Sequence, residues 1–169
     1  MTGLMKKILA AACCLGLLAG CAQQGEAAGG ETMKEGQSVQ TVVDQIADEI
    51  GIQMPADVDD TILKDMFYLD ANEVEAYAGK MAMTMTSADN VLAVQAKSGQ
   101  ADAAQEALEQ RLADVQNAFA QYLPDQSEKA QKGQVVRRGD YVFLLILGES
   151  SDTYDSDMER AIQIIDDAF

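Results

Sequence analysis

Tyr141-Val142-Phe143-Leu144-Leu145-Ile146-Leu147 is apolar at every position. A strand with one wet face alternates polar and apolar side chains, whereas a strand without alternation is covered on both sides. The run predicts a central strand, with helices on both faces of its sheet or a helix opposite another apolar layer. Just upstream, Val135-Val136-Arg137-Arg138 reads as a second extended segment, and Gly139-Asp140 between the two has turn chemistry, which makes a hairpin.

Working back from this hairpin, residues 101–123 carry the longest helical period in the chain, through Ala104, Leu108, Leu112, Val115, Phe119 and Tyr122, with Pro124 as its stop. Asp102 and Gln105 have capping-box spacing at its start. Arg111 borders the apolar stripe, so its stem is expected to pack while its head finds a carboxylate or carbonyl. A polar connection, 125–133, follows. Further upstream, residues 80–86 alternate, with Met81, Met83 and Met85 on one face and Ala82, Thr84 and Thr86 on the other. Ser87-Ala88-Asp89-Asn90 reads as a turn into a partner strand over 91–97, with Leu92, Val94 and Ala96 facing one way. Three thioethers on one strand face suit Cu(I), a soft cation, but the same alternation is how a strand buries its inner face, and packing is the preferred reading.

Nearer the N-terminus, Val39, Val42, Val43, Ile46 and Ile50 fall at helical spacing before Gly51, and a second helix is expected over 57–67 behind Pro55. Asp57, Asp59 and Asp60 there suit a helix start better than a calcium site. Residues 68–79 read as a short helical turn leading into a strand. Ser156 and Glu159 have capping-box spacing before Met158, Ala161, Ile162, Ile165 and Phe169, which define a C-terminal helix.

The first 37 residues have a different character. Lys6 and Lys7 precede an apolar run from Ile8 to Leu18, about half the ~20 residues that a helix needs to span a bilayer. Leu18-Ala19-Gly20-Cys21 then reads as a lipobox, the processing signal of bacterial lipoproteins, with Cys21 the thiol that receives diacylglycerol. The expected organisation is a lipoprotein signal peptide at 1–20, a lipidated cysteine and flexible tether at 21–37, and a single α+β domain at 38–169. A coil of about 16 residues has an r.m.s. reach of roughly 20–25 Å, enough to lift a domain off the headgroups.

The 169 residues include 12 basic and 28 acidic side chains; the leader takes two of the basic ones and none of the acidic, which leaves −18 on the chain from Cys21 onward. Such a field argues against nucleic acid or anionic headgroups as partners. The three cysteines are Cys13, Cys14 and Cys21, so on this reading no thiol remains for a disulfide, a metal or catalysis, and the chain has no histidine. Asp152, Asp155 and Asp157 are weak candidates for a divalent cation, because they lack the spacing and central glycine of a calcium loop. Arg138-Gly139-Asp140 spells an integrin-binding tripeptide, but its glycine serves the hairpin turn. With no phosphate-cradling loop and no Ser-x-x-Lys, the expectation is no enzyme, no catalytic residue, no metal and no cofactor.

From Ala82 onward the order of parts resembles an uncharacterised "domain of unknown function" family of small lipoproteins, mostly of Gram-positive gut bacteria. The resemblance rests on the methionine-rich strand, on Val91-Leu92-Ala93-Val94, and on Glu106-Ala107-Leu108-Glu109-Gln110-Arg111-Leu112 of the long helix. It continues through Tyr122-Leu123-Pro124 and Val135-Val136-Arg137-Arg138-Gly139-Asp140-Tyr141-Val142. It implies one extracytoplasmic domain with the order hairpin, helix, hairpin, and brings no catalytic residues with it. The expected fold is therefore α+β: an antiparallel or mixed sheet of about four strands, a long covering helix, two N-terminal helices and a C-terminal helix.

The expected function is that of a lipoprotein held to the outer face of the cell membrane by its diacylglyceryl anchor at Cys21. It would act there as a non-catalytic binding or interaction module, with an envelope protein as its partner. A divalent-cation or small-solute binding accessory is the first alternative, and a carboxylate-dependent cell-wall hydrolase the second. Cells fed radioactive palmitate should label the wild-type chain and not Cys21→Ala; a labelled Cys21→Ala chain contradicts the lipobox reading.

Overall fold

The computed structural model describes residues 31–169, so the leader, the lipobox Leu18, Ala19, Gly20 and Cys21, and the tether as far as residue 30 lie outside the described residues. Five antiparallel strands form one sheet in the order β1 (Pro55–Asp57), β2 (Val74–Ala82), β3 (Asn90–Ala96), β5 (Tyr141–Ile146) and β4 (Gln134–Arg138). Helices α1 (Val39–Ile50) and α5 (Tyr154–Asp167) cover one face. Helices α2 (Asp60–Phe67) and α3 (Ala101–Phe119) cover the other, with α4 (Pro124–Lys132) packed along α3.

The sheet is thus the middle of three layers, and the two central strands meet the demand their sequence makes. Along β5, Val142, Leu144 and Ile146 join the core under α2 and α3, while Phe143 and Leu145 join the core under α1 and α5. Every residue from Val142 to Leu147 is buried. Strand β3 divides the same way, with Leu92, Val94 and Ala96 toward α3 and Val91 and Ala93 toward α1. Full burial of a Leu, Ile, Val or Phe side chain contributes roughly 1.5–3 kcal/mol, so these two strands anchor both cores.

Helix α1 keeps the expected bounds: Ser38 and Thr41 make a reciprocal capping box, and Gly51 stops the helix at φ +90°. Contacts with the domain begin before residue 38. The Lys34 amide donates to the Ala168 carbonyl at 2.8 Å and its ammonium to the Asp167 carbonyl at 2.7 Å, so the last turn of the expected tether is fastened to the end of α5.

Several local expectations need correction. The helix expected over 57–67 starts at Asp60, with Asp59 as its N-cap, because Pro55–Asp57 pairs with β2 and the Val58 amide extends that pairing to the Gly79 carbonyl. This three-residue edge strand is the fifth strand, too short to show a period. Strand β2 starts at Val74 and ends at Ala82, so Met83 and Met85 lie beyond it, 59% and 86% exposed, and only Met81 of the series is buried. Small residues at Ala76, Ala78 and Gly79 had hidden the true extent of β2 from the pattern.

Helix α3 stops at Phe119, and the expected polar connection is helix α4: Pro124 takes the first turn, where its missing N–H costs nothing, and Lys129 and Lys132 meet the C-terminal dipole. Neither expected capping box at α3 or α5 forms. Asp102 instead pairs with Arg137 at 2.5 Å, and α5 starts at Tyr154, with the Ser156 hydroxyl donating to the Thr153 carbonyl at 2.9 Å.

Gly79 marks the tightest spot between β2 and its neighbours. A Cβ there would lie 2.6 Å from Leu92 Cδ1, 2.9 Å from Val58 Cγ2 and 3.0 Å from the Val91 carbonyl oxygen. Leu92 is fully buried and cannot swing aside. Gly79→Ala should lower stability by about 1–3 kcal/mol, read as a reduced urea midpoint; an unchanged midpoint contradicts this packing.

Candidate functional site

Where β2 ends, its sequence turns from ladder residues to Met83-Thr84-Met85-Thr86, and the chain leaves the sheet before returning at Asn90. This departure opens a groove between the strand ends and α3. Met66 from the last turn of α2 and Met81, Met83 and Met85 line one side; Val115 and Phe119 of α3, with Tyr122 just beyond, line the other. The cavity measures about 530 Å³, within the range of small-molecule sites.

Among the described residues, the large hydrophobic side chains left exposed are Met54, Tyr68, Met83, Met85 and Tyr122. Three of the five line the groove, and the other two are tied to its edge. Met83, Met85 and Tyr122 line the groove; the Tyr68 hydroxyl donates to Asp114 on its wall; and the Met54 carbonyl accepts from the Met83 amide at 3.1 Å. A single apolar exposed residue is ordinary, but a contiguous set marks an interaction surface. Methionine adds adaptability, because its unbranched thioether repacks around different shapes.

The floor of the groove is polar and ordered. Arg111 donates from Nε and Nη2 to the Asn90 side-chain oxygen at 3.2 and 2.9 Å, and its guanidinium lies 5.2 Å above the Phe67 ring. Asn90 is aimed by its neighbours, since its Nδ2 donates to the carbonyls of Ala88 at 3.0 Å and Asp89 at 2.8 Å. Arg111 therefore meets a carbonyl, as expected, the one on the Asn90 side-chain amide. Burial pushes its pKa down, against the opposing pull of Asp114. Both Asp114 oxygens are occupied, one by the Tyr68 hydroxyl and one by Gln110 Nε2 at 3.0 Å, and the hydrogen bond to Asp114, more than its charge, raises the Tyr68 pKa.

A buried ion pair fixes the return of the loop. Lys129 of α4 meets Asp89 at 2.6 Å with side chains only 5% and 4% exposed, and its ammonium lies 5.6 Å from the Tyr154 ring centroid. The second Asp89 oxygen accepts from the Gln53 amide at 2.9 Å, and the Ala88 amide donates to Gln126 Oε1 at 3.0 Å. Removing one member of such a pair generally costs about 3–5 kcal/mol, so it holds the root of the loop in one position. The methionine lip above that root has no comparable tie.

The other residues singled out in the sequence are placed elsewhere. Asp155 pairs with Lys132 at 2.6 Å, Asp157 accepts from the Thr153 hydroxyl at 2.7 Å and the Glu149 amide at 3.1 Å, and Asp152 is exposed. Among the described residues no group of three or more histidines, cysteines, aspartates or glutamates converges on a metal position. Of the acidic trio near α2, Asp59 caps the helix at Ile62 while Asp57 pairs with Lys80 at 2.7 Å. Arg138 pairs with Asp166 at 2.5 Å, and Gly139 makes the hairpin turn at φ +56°. Asn90, Asp89, Lys129 and Met66 carry no sequence signal for the groove, because their roles depend on contacts between distant elements.

No helix among the described residues is long and apolar enough to cross a membrane. No curated protein and no solved structure matches this chain. Residues 48–147, more than half of the chain, match the family described as Domain of unknown function (DUF4358), a span that includes all five strands, α2 to α4 and the whole groove. The chain belongs to the DUF4358 family.

Proposed function

We propose that this chain is a lipoprotein held at the outer face of the cell membrane through Cys21, and that its domain is a non-catalytic binding module working through the methionine-lined groove. One observation carries the binding assignment: three of the five large hydrophobic side chains left exposed among the described residues, Met83, Met85 and Tyr122, line this one hollow. The groove supplies apolar walls, an oriented guanidinium and hydrogen-bonded neutral groups, which suit gripping a ligand. The lipobox and glycine-rich segment behind it supply the anchor and freedom of orientation, and the net acidity keeps the domain from lying on anionic headgroups.

The test uses a photoreactive benzoyl-phenylalanine in place of Tyr122, a conservative change at the groove's exposed edge, in living cells. Irradiation should give a discrete adduct, and the same group at Gln163, exposed on α5 on the opposite face of the sheet, should give none. No adduct from position 122, or equal adducts from both positions, overturns the groove as the working surface.

A further inference from the structure

We infer that the groove takes a single-chain amphiphile with one carboxylate head, the head on the free edge of the Arg111 guanidinium and the apolar chain along Met66, Met81, Met83 and Met85. This rests on the groove being the binding surface and adds the chemistry of its occupant.

Charge complementarity carries the argument. The chain has far more acid than base, and its cations are mostly matched: Lys80 with Asp57, Arg160 with Glu49 and Lys129 with Asp89 are examples. Arg111 makes no ion pair among the described residues. It is also half-buried against an aromatic ring, and its carboxylate neighbour Asp114 bonds Tyr68 and Gln110 rather than the guanidinium.

A guanidinium has five N–H donors. Asn90 engages one on Nε and one on Nη2, which leaves the Nη1 and Nη2 edge, the fork that matches a carboxylate in a bidentate pair. Nη1 has no partner and is not buried, because no buried side-chain nitrogen or oxygen among the described residues lacks a hydrogen-bond partner, and Arg111 lines the cavity.

The neighbouring groups narrow the class further. Asp114, on the same wall, would repel a second negative charge, so a monoanion fits better than a phosphate dianion. Sugars and nucleotides need many hydrogen-bonding partners, whereas this lining is mostly thioether, aromatic and aliphatic. A volume of about 530 Å³ suits a chain-length molecule rather than a folded partner.

The full lipidated chain, labelled with 13C at its methionine methyls and embedded in phosphatidylcholine nanodiscs, reports directly on the walls. Octanoate should shift the Met66, Met81, Met83 and Met85 signals saturably and leave Met158, buried under the opposite face, unmoved. Octanol and octyltrimethylammonium should bind at least tenfold more weakly. Arg111→Gln should bind octanoate no better than octanol while keeping the Met158 signal of the folded domain, and Arg111→Lys should recover only part of the preference.

Equal binding of octanoate and octanol overturns the carboxylate inference and leaves the groove reading standing. An acetylated apolar tripeptide with a free C-terminus binding tighter than octanoate overturns the single-chain occupant in favour of a peptide. Absence of any shift overturns the amphiphile inference, and the Tyr122 adduct then decides the groove reading by itself.

Discussion

The constraint on which the structure depends is the double coverage of β5. Six consecutive apolar side chains from Val142 to Leu147 cannot be buried by one layer, since alternate residues point to opposite faces. Helices on both sides are the response: α2 and α3 take Val142, Leu144 and Ile146, and α1 and α5 take Phe143 and Leu145. Strand β3, paired with β5 along its length, shares this burial. Outside this pair the constraint relaxes. Strand β1 is three residues long, and β2 ends at Ala82 with its sequence running on into exposed methionines.

The groove follows from that relaxation. Strand β2 stops at Ala82, and Phe119 at the end of α3, with Tyr122 beyond it, lines the space beside the methionines that follow the strand. The loop that fills part of the gap is tied at its root through Asp89, Lys129 and Asn90, and bears thioethers at its lip. A rigid floor with a pliable apolar edge is a combination that serves binding: the floor orients a polar head and the edge adapts to what is attached to it.

The parts legible in the sequence are those in which local pattern and tertiary role agree. The β5 run announced a covered strand, the hairpin turn at Gly139 lies where its chemistry placed it, and α1 keeps its bounds because Gly51 stops it. Helix α4 was legible in principle: Pro124 in its first turn, Lys129 and Lys132 in its last and Gly133 after it are helix signals that polar composition obscured. The methionine series misled for a physical reason. Period-two alternation is necessary for a half-buried strand but not sufficient, and Met83 and Met85 keep the alternation after the ladder has ended. The groove's polar floor was not legible, since Arg111 meets Asn90 and Lys129 meets Asp89 only once α3 and α4 lie against the loop.

The most direct measurement is peroxide oxidation of Met83 and Met85, followed by mass spectrometry on intact cells and on the purified chain, with Met33, packed under the other face, as internal reference. In the purified chain Met85, 86% exposed, should oxidise fastest. If the groove is the working surface, both methionines should oxidise severalfold more slowly in cells relative to Met33, because an occupant covers them. Equal relative rates in cells and in purified protein would contradict the assignment of this groove as the site at which the domain binds.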